Sequence, residues 1–460
     1  MANRIAQRVI DLCSEDPSAV LIERTTDRAC WTRADILDEA GRLASCLDKE
    51  TPAEATIAIE SRPDNGADFI ACLLATWGSG RRALPIASSL PEEEVELLLS
   101  AHRPHTFLGR NTSGRASIPC SFGESGSRAE LDRGSRASLL LQSSGTVGRA
   151  RVALREAEAL DNVGMTLLRT ICVDTNDCVL SALPMHHAYG IEHAVLLPVM
   201  AGARIIQMPT FQIDVALEWL ANDVSVLPTI PVTIEALGAI KPERNSLRLA
   251  YTAGSPLPSA TRDRFQENWG IKVGDLYGAS EVGTITWGYN GRATPVPGVE
   301  IKLAADGELM VRSNAMFVGY LDATDQSPAV DRISEGWFLT GDLASIGPEN
   351  EVRLIGRARL QFDVGGLKVN PTQVEGVLSE HEGIAEVLVG PLKLSETVNR
   401  VHALVVASPN SANDRTQLLA SITDFARQHL PPHQVPRQVD LVESLPRTTS
   451  GKLIRSQATQ

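Results

Sequence analysis

Ser138-Leu139-Leu140-Leu141-Gln142 is an almost unbroken apolar run, which is how a strand buried on both faces reads. A Gly/Ser turn follows, and then Leu154, Ala157, Leu160, Val163 and Leu167 recur at helical spacing. The alternation continues downstream. Strands are predicted at 179–183, 204–208 and 247–251, with a helix over 215–220. The apolar stretch 194–203 is too short for a membrane span, runs into Arg204, and reads as a buried helix. Strands alternating with helices imply a layered α/β domain around a largely parallel sheet.

After about residue 284 the helical spacing stops. Short strands with Gly or Pro turns take over, as in residues 297–303 and 307–311, so a β-rich subdomain is expected. Beyond Gly356-Arg357 the texture changes again. Pro371 opens a predicted helix, strands follow around 384–389 and 401–407, and a helix around 414–429. That is a small α+β domain of ordinary size. Residues 111–137 are rich in Ser, Gly and Arg and read as a surface loop or mobile connection.

A chain of 460 residues is long enough for two or three domains. Net charge of -13 and only 4% aromatic residues argue against a nucleic-acid partner. ATP is not excluded, because it needs only a local cluster of donors. The cysteines, at 13, 30, 46, 72, 120, 172 and 178, form no Cys-x-x-Cys pair. Neither a disulfide framework nor a zinc site is indicated, and a reducing cytoplasm fits best. Residues 1–12 are amphipathic, without the apolar core of a secretion signal. No membrane span is expected.

Candidate chemistry lies at four places. Ser143, Ser144, Gly145, Thr146, Gly148 and Arg151 follow the strand at 138–142. Small and hydroxyl residues let backbone N–H groups approach phosphate oxygens, and Arg151 adds a bidentate contact. No Walker lysine is present, and a plain polar hairpin is the competing reading. His186, His187, Tyr189 and Gly190 follow a strand end and read as the wall of a substrate pocket. Metal binding by His186, His187 and His193 is disfavoured, since adjacent histidines on a short turn rarely converge on one ion. Ala253, Gly254, Ser255 and Pro256 follow another strand, as do Tyr277, Gly278, Ser280 and Glu281. Glu281 suits Mg²⁺, and an aromatic beside glycine suits a planar base. Asp342, read in a tight turn, suits the vicinal hydroxyls of a ribose.

In this order, together with Gly451-Lys452, these motifs resemble the AMP-forming acyl-adenylating superfamily of acyl- and aryl-CoA synthetases, peptide-synthetase adenylation domains and luciferases. The resemblance covers about residues 138–455; the first 130 residues fit loosely. It implies an α/β fold: a large N-terminal domain of layered α/β subdomains plus a β-rich subdomain, with a small mobile α+β C-terminal domain. The division is expected at 1–357 and 358–460. A carboxylate would attack the α-phosphate of ATP, expelling pyrophosphate, and a thiol would then take the acyl group from the adenylate.

The resemblance assigns 143–151 to the phosphates, Gly254, Ser255 and Pro256 to the adenine side, and Tyr277 to the base. Gly278 and Ala253 line the acid pocket, and Glu281 holds Mg²⁺. Asp342 and Arg357 contact the ribose. Lys452 bridges the carboxylate and the α-phosphate in the first half-reaction. Gly365 and Gly366 line the thiol path, and Arg359 is the hinge. ATP and Mg²⁺ are the expected cofactors, with coenzyme A or the phosphopantetheine of an acyl carrier protein as acceptor. Self-association into a homodimer is left open.

Several residues depart from the family pattern. Val147, Ala150 and Arg151 replace the usual hydroxyl residue, proline and lysine of the phosphate loop. Ser280 stands where threonine is common, and Arg359 replaces an acidic residue or lysine. Arg for Lys keeps the charge and changes the shape. A degenerate member that binds nucleotide or acyl ligand without turnover is the rival from another class. In the amino-acid-activating branch an aspartate stands in the segment matching 187–193. Here none does, although Glu192 is nearby. The expected substrate is therefore an aryl or aliphatic acid without an α-amine.

Overall fold

The computed structural model describes residues 4–108, 117–118, 137–143, 151–321, 328–329, 332–364, 367–394, 399–408 and 414–446. The chain forms two compact units. One is Met1–Ile301 with Val311–Phe338, and the other is Lys302–Met310 with Leu339–Gln460.

In the first unit, one sheet runs in the spatial order Arg292–Pro295, Gly283–Tyr289, Val273–Ala279, Leu249–Thr252, Val226–Thr229, Cys178–Ser181, Arg204–Gln207, Val20–Arg24, Cys30–Thr32. Its interior, from Val273–Ala279 to Val20–Arg24, is parallel, and antiparallel strands close both ends. Alternate side chains of these strands feed separate cores. Leu180, Leu227 and Ala250 join Trp219, Leu220 and Phe265. Val179, Val226 and Leu249 join Val163, Leu167 and Leu197. Both faces are buried, which is why these strands read as continuous apolar runs rather than as alternation.

A second sheet has the order Pro328–Ala329, Gly319–Leu321, Arg151–Glu156, Ser138–Ser143, Arg82–Ala87, Thr56–Ser61, Thr106–Leu108, Ser117–Ile118. Here one expectation fails. Leu154 belongs to a strand, pairing with Leu140, and the helix Ala157–Ile171 begins only after it. Its helical spacing to Ala157 is accidental. Cross-strand pairing on both sides of Arg151–Glu156 overrides the local pattern.

In the second unit, Ile384–Lys393, Asn399–Ala407 and Gln438–Val442 form a three-stranded sheet. Helices Pro371–Leu378 and Arg415–His429 share its core, where Val374, Leu378, Ile422 and Ala426 meet Val389, Ala403 and Val405. Both helices start on side-chain caps. Asn370 Oδ1 accepts from the Thr372 amide at 3.0 Å, ahead of Pro371 in the first turn. Asp414 Oδ1 accepts from the Thr416 amide at 2.8 Å. Each cap satisfies a helix donor that would otherwise have no partner.

A second correction concerns Asp342, which sits inside the strand Trp337–Ile346 rather than in a turn. It pairs opposite Arg357, and the ladder slips one step later, between Leu343 and Ala344. Gly341, at φ +80°, supplies the bend that its sequence suggested was a turn.

Candidate active site

The strands Val226–Thr229 and Leu249–Thr252 end side by side, Thr229 beside Thr252, and Val273–Ala279, which pairs at Asp275 with Thr252, runs on in the same direction. The segments that follow therefore emerge on one edge, where open α/β sheets place their ligands. Ala253 is buried, while Gly254, Ser255 and Pro256 are exposed. Gly254 has φ +89°, and a Cβ added there would meet nothing within 4 Å, so backbone conformation rather than space calls for glycine. At Gly278 the reason is different. The ladder with Gly283–Tyr289 slips between Tyr277 and Gly278, and a Cβ would stand 2.7 Å from the Gly283 carbonyl oxygen.

Glu281 follows this strand and meets a residue that sequence reading missed. Tyr320 Oη donates to Glu281 Oε1 at 2.7 Å, and the Arg151 guanidinium lies 4.6 Å from the Tyr320 ring centroid. Burial, reinforced by the Glu281 charge, pushes the Tyr320 phenol above its ordinary range, so it remains a donor. Arg151 and Glu281, remote in sequence, thus converge on one phenol. The available signal was Gly319-Tyr320 in a strand pairing with Arg151–Glu156.

Among the described residues no group of three or more His, Cys, Asp or Glu could hold a metal by itself. A single carboxylate such as Glu281, whose Oε1 accepts from Tyr320, suits Mg²⁺, which keeps waters and takes substrate phosphates as its other ligands. The donor set at Glu281 fits that ion.

The wall expected at 184–190 is built by close contacts. A Cβ on Gly190 would overlap the Pro184 carbonyl oxygen. Tyr189 Oη donates to the Thr229 carbonyl at 3.1 Å, tying the segment to the strand edge. His186 and His187 lie with ring centroids 4.3 Å apart, and burial, with His187 adding, lowers His186 to about 3. His193 is elsewhere occupied. Its Nδ1 pairs with Tyr251 Oη at 3.0 Å and its Nε2 with Thr284 Oγ1 at 3.1 Å.

Burial lowers His193 to about 3 from an ordinary 6.5. Its contribution to stability is whole above pH 6.5, where the unfolded imidazole is neutral, and drains as pH falls toward 3. Over that window this one group removes about 1.4 kcal/mol per pH unit. His193→Gln keeps a donor and an acceptor but cannot titrate. Between pH 6.5 and 5 its Tm should fall less steeply than the parent's; parallel slopes would refute the assignment.

Glu192, the carboxylate near this wall, is already engaged: Arg155 Nη1 donates to its Oε1 at 2.5 Å, both side chains being buried. In the second unit Arg357 Nε lies 2.9 Å from Asp342 Oδ1, and the Gly341 amide donates to Glu308 Oε1 at 2.6 Å. Arg359 falls in the short 3₁₀ turn Ala358–Leu360. Ser143 ends its strand, with its backbone paired to Arg151. Ser144, Gly145, Thr146, Gly148, Gly365, Gly366 and Lys452 lie outside the described residues.

A family model described as AMP-binding enzyme matches residues 13–321, and one described as AMP-binding enzyme C-terminal domain matches 373–452. A 3-[(3aS,4S,7aS)-7a-methyl-1,5-dioxo-octahydro-1H-inden-4-yl]propanoyl:CoA ligase of Rhodococcus jostii is 28% identical over 68% of this chain. The match spans 63% of that relative's own length, under two thirds. A malonate–CoA ligase of Arabidopsis thaliana is 25% identical, over 87% of this chain and 76% of its own. Among solved structures, ATP-bound MatB from Rhodopseudomonas palustris superposes with a TM-score of 0.89, at 22% identity, covering 99% of this chain and 98% of the other. That last likeness is one of fold.

Proposed function

Because the chain belongs to the AMP-binding enzyme family, we propose that it is an ATP- and Mg²⁺-dependent acid–thiol ligase. It activates a carboxylic acid as acyl-AMP with release of pyrophosphate, then passes the acyl group to coenzyme A. The observation that carries this reading is the meeting of Arg151 and Glu281 on Tyr320. A cation suited to phosphate and a carboxylate suited to Mg²⁺, held on one phenol, are what binding a metal–triphosphate needs. The CoA-ligase names of its relatives support the thiol step.

In this reading the 143–148 loop and Arg151 hold phosphate oxygens, Tyr277 faces the base, and Asp342 with Arg357 takes the ribose. Glu281 would hold Mg²⁺, which would supply positive charge to the departing pyrophosphate. Lys452 stabilises the charge that builds on the α-phosphate as the acid attacks. Residues 358–460 act as the mobile part, turning about Arg359 so that Gly365 and Gly366 replace Lys452 beside the adenylate. The acid lacks an α-amine, since Glu192 is engaged by Arg155 and offers no free carboxylate to an ammonium. A reducing compartment such as the cytoplasm suits seven scattered cysteines with no Cys-x-x-Cys pair. No helix among the described residues is long and apolar enough to cross a membrane.

Pyrophosphate release across aryl, short, medium and long acids tests the reading, with coenzyme A, with a phosphopantetheinylated carrier, and with no thiol. Acid-dependent release that yields a thioester with coenzyme A is expected. Release with no acid in the panel would overturn it, and thioester only on the carrier would move the acceptor. Tyr320→Phe removes one hydrogen bond to a charged oxygen, worth about 1.5–3 kcal/mol. It should lower pyrophosphate release about tenfold and raise the Mg²⁺ concentration for half-maximal rate; an unchanged Mg²⁺ dependence would separate Tyr320 from the Glu281 site.

A further inference from the structure

Arg155 is 0% exposed and Glu192 4%. Arg155 lies on the strand Arg151–Glu156, and Glu192 in the π-helical turn Ile191–Leu196. Over the pair sits Gly283, at φ +75°. A Cβ there would stand 3.2 Å from Arg155 Nη2, 3.2 Å from Glu192 Oε1 and 2.9 Å from Val163 Cγ2. Three segments therefore meet at this one ion pair. Arg151 opens the same strand, Tyr189 precedes the same turn, and Glu281 lies just before Gly283.

Stability alone does not account for the pair. Two buried charges cost desolvation, and apolar residues of similar volume hold such a place at least as well. Arg155 Nε and Nη2 find no acceptor among the described residues, so the guanidinium is not arranged to recover that cost. An ion pair adds a directional, charge-dependent constraint on the relative placement of the groups that carry it.

We infer that Arg155 and Glu192 are positioning residues that fix the acid-pocket wall against the phosphate-side hairpin and the Glu281 turn. They act on the reaction through Tyr189 and Glu281 and do not touch substrate. The inference rests on the proposed ligase reading for its kinetic consequence, though its structural half stands apart from it.

The test separates placement from stability. Arg155→Met or Glu192→Gln alone strands a buried group and should lower Tm by about 5 °C or more. The double variant Arg155→Met/Glu192→Met removes both charges and should regain most of that loss. It should nevertheless show faster amide exchange in residues 184–196 and 279–284 than the parent. With an acid accepted by the parent, its KM for that acid should rise about tenfold while kcat changes less than threefold. Parental exchange and parental KM in a double variant of parental Tm would overturn the inference. Should the double variant fail to fold, Glu192→Asp keeps the charge and shortens the reach. A raised acid KM is expected there too, and a parental KM overturns the proposal. Amide exchange needs no turnover, so a parent inactive with every acid would sink the ligase reading while exchange still decides the coupling.

Discussion

Lys452→Ala should lower adenylate formation by about a thousandfold while leaving thioester formation from supplied acyl-AMP near the parental rate. Removing a donor aimed at developing charge costs about a hundred- to a thousandfold in rate, and a full cation lies at the upper end. The asymmetry is the informative part. In the first half-reaction negative charge gathers on the α-phosphate as the carboxylate adds and pyrophosphate leaves. In the second the phosphate is a leaving group on a preformed anhydride, and the proposed pivot has taken Lys452 away. Acid-dependent pyrophosphate release and the conversion of synthetic acyl-AMP with coenzyme A measure the two halves separately. Parental adenylation in the variant would show that Lys452 is misassigned; equal loss in both halves would show that it acts on folding or on both steps.

Glu281→Gln should cost about a hundredfold in pyrophosphate release at limiting Mg²⁺, and less when Mg²⁺ is raised. The amide has the shape of the carboxylate, and its oxygen can still accept from Tyr320 Oη, 2.7 Å away in the parent. Placement is therefore kept while the charge that attracts the ion is lost. Calorimetry of ATP binding with and without Mg²⁺ supplies a readout independent of turnover. The Mg²⁺-linked part of the affinity should shrink in the variant. An unchanged Mg²⁺ linkage would remove Glu281 from the metal site.

The layered architecture was legible in the sequence because buried parallel strands leave an unmistakable trace. Runs such as Val179-Leu180 are apolar on both faces, and each face has its own core. Boundaries were less legible where pairing decides. Leu154 fits a helical pattern and still lies in a strand, and Asp342 looks like a turn residue inside a ladder. Of the candidate site, residues in compact motifs could be named from sequence: Glu281 stands beside Ser280, Tyr189 beside Gly190, and Arg151 shortly after Gly148. Tyr320 was missed because its partner is 39 positions away, and Arg155 because its partner is 37 away. A buried arginine in a strand has no local signature. Only the fold brings it to its carboxylate.

The π-helical turn Ile191–Leu196 has a consequence for how this chain tolerates change in length. The Leu197 amide reaches back to the Glu192 carbonyl, one position further than an α-helix would, and Pro198 next to it has no amide to offer. Such a turn holds one residue more than straight helix requires. Excising that residue would restore regular winding between the wall segment and Ala201. A deletion in regular helix would instead swing everything upstream by about 100° around the axis, taking Tyr189 away from Thr229. The π turn is therefore the one place in this helix where a residue can be lost with the wall kept near the strand end.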